Sequence, residues 1–82
     1  MTITVRYFAG ARAAAGTDTE TIGLPDGAEL TALSQLLAQR HGPDLTRVLT
    51  AASFLINEVA GDPDRRIPAG ATVDVLPPFA GG

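Results

Sequence analysis

The sequence contains no cysteine and no lysine. Without cysteine, disulfides, thiolate nucleophiles and cysteine-ligated zinc or iron–sulfur centres are all excluded. Without lysine, the segment from Gly10 to Gly16 cannot be a phosphate-binding loop, which requires one. Positive charge is also in short supply: six Arg stand against nine Asp plus Glu, for a formal net charge of −3. Nucleic acid and anionic membrane surfaces need a basic footprint, so neither is an expected partner. No apolar run approaches the ~18 residues of a membrane span. The segment before Gly10 is interrupted by Arg6 and is too short for the apolar region of a signal peptide, so a cytoplasmic location is expected. The 82 residues fit one small domain. A catalytic cleft would consume much of its core, which favours a binding module or carrier over a free-standing enzyme.

Hydrophobic residues make up 45% of the chain, enough for a globular core. From Thr2 to Phe8, Ile3, Val5 and Tyr7 alternate with polar residues, the period of a half-buried strand. Phe8 then falls on the other face. Ala9 to Gly16 reads as a loop or ragged turn between two glycines. Thr17 to Leu24 reads as a second strand, forming a hairpin with the first across a long loop. Pro25-Asp26-Gly27 is a turn signal. Leu30, Leu33, Leu36 and Leu37 place one apolar stripe on a helix over 30–41, which Gly42-Pro43 ends. Either Glu29 or Thr31 is placed to cap it. Leu45, Val48 and Leu49 indicate a second short helix or a turn.

Ser53 to Asn57 reads as a buried strand, followed by a polar stretch with at most a short strand near Val59. Asp62, Asp64, Arg65 and Arg66 read as a solvated loop; they lack the spacing of a calcium-binding loop. In the last strand, 72–76, Val73 and Val75 are expected to face in, and Thr72, Asp74 and Leu76 out. His41, alone at a helix end, is expected to interact with the helix dipole. The order of elements gives an α+β fold: a mixed sheet of four to five strands, covered on one face by one main helix and a short second one. Pairing the first and last strands in parallel at its centre makes a β-grasp arrangement.

The sequence ends Pro77-Pro78-Phe79-Ala80-Gly81-Gly82. Two prolines cannot continue a central strand, so the chain must leave the sheet there. The division is a folded domain over 1–76 and a flexible tail over 77–82. Six extended residues reach up to ~20 Å. Gly81-Gly82 can thread a narrow channel and bring a carboxylate close to reactants. A carboxylate is a poor electrophile and needs activation, for example as an acyl adenylate. The sequence shows no ATP site, so a partner enzyme would supply that step.

Several segments taken together carry a resemblance: Tyr7-Phe8-Ala9 with Arg12 and Gly16; Pro25-Asp26-Gly27-Ala28 before the leucine-rich helix; Ile56-Asn57; Pro68-Ala69-Gly70; and 73–82. The chain resembles the ubiquitin-like β-grasp MoaD/ThiS family, and within it the MoaD branch, the sulfur-carrier subunits of molybdopterin synthase. The resemblance covers essentially the whole chain. It implies that an E1-like adenylyltransferase of MoeB type uses ATP to adenylate Gly82. A sulfur donor enzyme then makes the thiocarboxylate, with Gly81 in the tail that presents it. The tail enters a MoaE-like large subunit, in a heterotetramer, and gives sulfur to cyclic pyranopterin monophosphate in molybdenum cofactor biosynthesis. The catalytic pocket lies in the large subunit, and the carrier binds no cofactor or metal itself.

The same resemblance implies partner contacts at Phe8, Arg12, Leu76, Pro77, Pro78, Phe79 and Ala80. From the residues alone, Phe8 and Leu76 form either an exposed apolar patch or the boundary of the core. Arg12 is either a contact residue or a solvated charge. Phe79 stands where the family more often has a smaller aliphatic residue, and 57–66 follows a less familiar pattern. Alternatives are a ThiS-like or cysteine-pathway sulfur carrier, a ubiquitin-like protein modifier, and an interaction domain with an inert tail. The length of the segment between the first strand and the helix favours the MoaD branch over ThiS-like chains.

Overall fold

The computed structural model describes residues 1–78. Its elements are β1 (Thr2–Tyr7), α1 (Ala9–Ala15), β2 (Thr19–Gly23), α2 (Leu30–His41), α3 (Pro43–Leu49), β3 (Ser53–Ile56), β4 (Val59–Ala60) and β5 (Thr72–Leu76). The five strands form one sheet in the order β2-β1-β5-β3-β4. β1 and β5 run parallel at its centre, with Arg6 opposite Asp74 and Tyr7 opposite Val75. β2 flanks β1 and β3 flanks β5, both antiparallel. This is the β-grasp arrangement that the sequence pattern implies.

Alternation decides the faces. Ile3, Val5, Tyr7, Ile22, Val73, Val75 and Ile56 turn to one side and are buried, together with Ala11 of α1, Leu30, Leu33 and Leu37 of α2, and Leu45 and Leu49 of α3. The opposite face stays open. Leu36 is only half-buried at the margin of the helical stripe, and Phe54 and Leu55 are half-buried in a strand expected to be buried throughout.

The segment expected as a loop is instead a helix. Ala9–Ala15 is mostly alanine, the residue with the highest helix propensity, and Ala11 is fully buried. Gly16 ends it in the left-handed region at φ +77°, with its N–H bonded to the Arg12 carbonyl. β1 and β2 therefore pair antiparallel across a helix rather than a long loop. The start of α2 also departs from expectation. Glu29 occupies the cap position without a side-chain bond. The free N–H groups of the first turn go instead to the 63–65 loop: Leu30 N to Arg65 O (3.0 Å) and Thr31 N to Pro63 O (2.9 Å). Thr31 Oγ1 donates to the same Pro63 carbonyl at 2.8 Å. The solvated charges of that loop thus sit on a backbone that caps the main helix.

Candidate functional site

β5 is a central strand, and it delivers the chain to one end of the sheet at Leu76. There the ladder continues for one residue on the neighbouring strand: Phe8 N–H donates to the Val75 carbonyl at 3.3 Å. Phe8 thus stands beside Leu76 and Pro77, with 38% of the residue exposed. Phe8, Leu76, Pro77 and Pro78 line an open groove of about 670 Å³ with Ala9, Gly10, Arg47, Val48, Ala51 and Ser53. The apolar patch at the root of the tail therefore exists. It is wider than the sequence indicated, because α3 and the turn after it supply one wall. Val48 and Ala51 are three residues apart and lie on one side of that helical turn, but only the fold shows which surface they meet. Phe79, Ala80, Gly81 and Gly82 lie outside the described residues.

Arg12 does not line this groove. It lines a shallower depression of about 300 Å³ with Arg6, Tyr7, Phe8, Ala9, Asp18 and Thr19. Its guanidinium is 3.5 Å from Asp18, in a pair exposed on both sides. Phe8 and Ala9 are common to both depressions, so Arg12 lies next to the groove without lining it.

Asp74 corrects a further expectation. It does point to the open face, but it is buried rather than solvated. Arg6, opposite it on β1, covers it with a two-pronged bond: Nε to Oδ1 at 2.6 Å and Nη2 to Oδ2 at 2.8 Å. That hydrogen bond and the charge of Asp74 hold the Arg6 guanidinium above its ordinary pKa. Its carbon lies 5.7 Å from the centre of the Phe8 ring, within reach of a cation–π contact.

His41 is not an isolated helix-end histidine. Its Nε2–H donates to Glu20 Oε1 at 2.7 Å. The Tyr7 hydroxyl donates to the same oxygen at 2.6 Å, and the two rings meet edge to face at 5.8 Å. Burial alone would raise the Glu20 pKa, but the Tyr7 and His41 hydrogen bonds and the charges of His41 and Arg40 hold it below the ordinary carboxylate value. Burial, and then the bond to Glu20, push the Tyr7 phenol far up. The cluster joins β1, β2 and the end of α2 beneath the Phe8 end of the sheet.

A separate groove of about 440 Å³ lies between α2, 49–54 and 60–63. It includes neither Phe8 nor 76–78, and Asp62 is its only charged residue. Among the described residues, no group of three or more His, Cys, Asp or Glu side chains converges as a metal site would require. Nor is any helix there long and apolar enough to cross a membrane. The chemistry this arrangement supports is presentation: a firmly held strand end beside an apolar groove flanked by arginines.

Comparison with known proteins bears on what is presented. The ThiS family matches residues 5–82. The chain is 33% identical over 84 residues to a molybdopterin synthase sulfur carrier subunit from Chlamydomonas reinhardtii, covering all of both chains. Its fold matches a chain assigned as molybdopterin converting factor subunit 1 from Pyrococcus furiosus, with a TM-score of 0.82, 27% identity, and coverage of 96% and 99% of the two chains. It also matches a complex of subunits 1 and 2 of the molybdopterin-converting factor from Helicobacter pylori, with a TM-score of 0.70, 22% identity and full coverage of both chains; at that identity the likeness is one of fold alone.

Proposed function

The chain belongs to the ThiS family, and from that premise we propose that it is the sulfur-carrier subunit of a molybdopterin synthase. The observation that carries the reading is the exit of the chain from central strand β5 through Pro77-Pro78, beside the exposed Phe8. The full-length similarity to the algal carrier subunit supports it. In this reading Gly82 is the terminal residue. Its carboxylate attacks the α-phosphate of ATP in an E1-like activating enzyme, pyrophosphate leaves, and an acyl adenylate forms. A sulfur donor enzyme then supplies sulfur to the carbonyl carbon, AMP leaves, and Gly82 carries a thiocarboxylate. In the same reading the tail enters the active site of a large subunit; the Helicobacter chain of this fold is seen in a complex of subunits 1 and 2 of its converting factor. The thiocarboxylate sulfur bonds to cyclic pyranopterin monophosphate, water cleaves the resulting thioester at the Gly82 carbonyl, and the carboxylate returns for another cycle.

The division of labour follows from the residues. The described part of this chain provides docking: Phe8, Leu76, Pro77 and Pro78 offer apolar contact, and Arg12 offers a charge. Catalysis falls to the partners. We assign Phe79 and Ala80 to the same partner contact, and Gly81, having no side chain, suits a narrow channel.

The test is the intact mass of the protein from its own cells, taken before any thiol-reactive treatment. A species heavier by the exchange of one oxygen for sulfur, mapped to Gly82, supports the carrier. An unmodified mass in cells making molybdopterin, with thiocarboxylate hydrolysis controlled, overturns it. Gly82 joined through an isopeptide bond to lysines of other proteins would instead identify a protein modifier.

A further inference from the structure

Phe8 and Arg12 serve docking, but the best-formed ion pair on the open face, Arg6–Asp74, has no role in it. We propose that Arg6, held by Asp74, is a recognition residue that receives a carboxylate side chain of the protein partner that takes up the tail. This rests on the carrier reading for the identity of that partner.

Asp74 is nearly inaccessible and accepts from Nε and Nη2 of Arg6, which fixes the guanidinium plane. The Arg6 side chain nevertheless keeps 43% of its surface exposed. A guanidinium has five N–H groups, and two are used. Both N–H groups of Nη1 and one of Nη2 are left for another acceptor, from a group that no longer has to be ordered. Such preorganisation is what makes an interface charge effective.

The Arg6 guanidinium lies near the Phe8 ring, and Arg12 lines the same depression. Two guanidinium groups thus share one depression with an exposed aromatic ring, in a chain whose net charge is negative. Asp18, the acidic residue in that depression, is bound to Arg12 only loosely, at 3.5 Å and largely exposed. A partner carboxylate can replace it. Glu58 lines a different depression with Arg6, Asn57 and Thr72 and does not line the Phe8 depression. The fitting partner surface is therefore an apolar contact for Phe8 with an acidic side chain beside it.

The experiment is calorimetric titration of the intact chain with the cognate large synthase subunit, at low and high salt. Arg6→Gln is expected to weaken binding on the order of tenfold and to flatten its salt dependence. Arg6→Lys keeps the charge but loses the fork and the planar contact, so it is expected to restore little of that loss. Asp74→Asn, with Arg6 present but no longer clamped, is expected to fall between. Amide correlation spectra of each variant establish that the fold is retained. Wild-type binding with Arg6→Gln within about twofold overturns the proposal alone. Full rescue by Arg6→Lys overturns the clamp, because any nearby charge would then suffice. No binding by the wild type overturns the carrier reading and this proposal with it.

Discussion

The Tyr7–Glu20–His41 cluster makes a stability prediction that can be worked from the structure. Glu20 Oε1 accepts from Tyr7 at 2.6 Å and from His41 at 2.7 Å. A hydrogen bond to a charged group contributes about 1.5–3 kcal/mol net. The Glu20 side chain is still 17% exposed, and Tyr7 and His41 can fall back on a longer 3.4 Å contact with each other. Both facts push towards the lower end. Glu20→Ala is therefore expected to cost about 2–3 kcal/mol in total, and Glu20→Gln, which keeps an acceptor without its charge, about 1 kcal/mol. For a domain of this size, each kcal/mol lowers Tm by roughly 4–8 °C. The pH dependence has a definite sign. The folded state holds Glu20 below its unfolded pKa, so the unfolded state binds the proton more readily. Its contribution is complete above the ordinary carboxylate range and is lost as pH falls through the lowered folded value. The stability gap between the parent and Glu20→Gln, measured by urea unfolding, should hold from neutral pH to about pH 5 and shrink from there to about pH 3. A Glu20→Ala variant within about 0.5 kcal/mol of the parent at neutral pH would refute the reasoning. So would a gap that does not change on acidification.

Two other perturbations separate the fold from the docking surface. Gly16→Ala forces a side chain into a left-handed residue at φ +77°, so it should destabilise the domain by about 1 kcal/mol in chemical unfolding. An unchanged midpoint would mean that the end of α1 rearranges freely. Phe8→Ser removes an exposed ring, so Tm should hold to within a few degrees while affinity for the large subunit falls at least about tenfold; a large fall in Tm would identify Phe8 as a core residue.

The parts of the fold legible in the sequence are those whose signal is local. β1 announces itself because Ile3, Val5 and Tyr7 repeat every second residue. α2 does so because Leu30, Leu33 and Leu37 recur at helical spacing, and Pro77-Pro78 marks the end of β5 by chemistry that no neighbour can override. α1 was illegible for the opposite reason. Alanine and glycine are too small to give an apolar stripe, and the bracketing glycines suggested a turn where one of them is a helix cap. The remaining surprises are pairings across the chain. Asp74 is buried only because Arg6, distant in sequence, sits opposite it in the parallel register. His41 gains its partners only when β1 and β2 are brought beneath the end of α2. The same holds for Arg47, Val48 and Ala51, which become part of a groove when α3 packs beside α1.

The placement of the tail on β5 has a mechanical consequence. Val73 and Val75 are fully buried, and β5 has paired neighbours on both sides. Burying a valine side chain contributes about 1.5–3 kcal/mol. Fraying inward from Leu76 must therefore break bonds to β1 and β3 together and withdraw Val75 from the core. An edge strand such as β2 would yield one set of bonds only. The same ladder fixes Phe8 and Arg6 relative to Leu76, since Phe8 N–H bonds to Val75 and Arg6 to Asp74. Recognition and delivery are thus keyed to one central strand pair. A partner that reads Phe8 and its arginines also knows where Pro77 begins, without any contact to the residues that follow it.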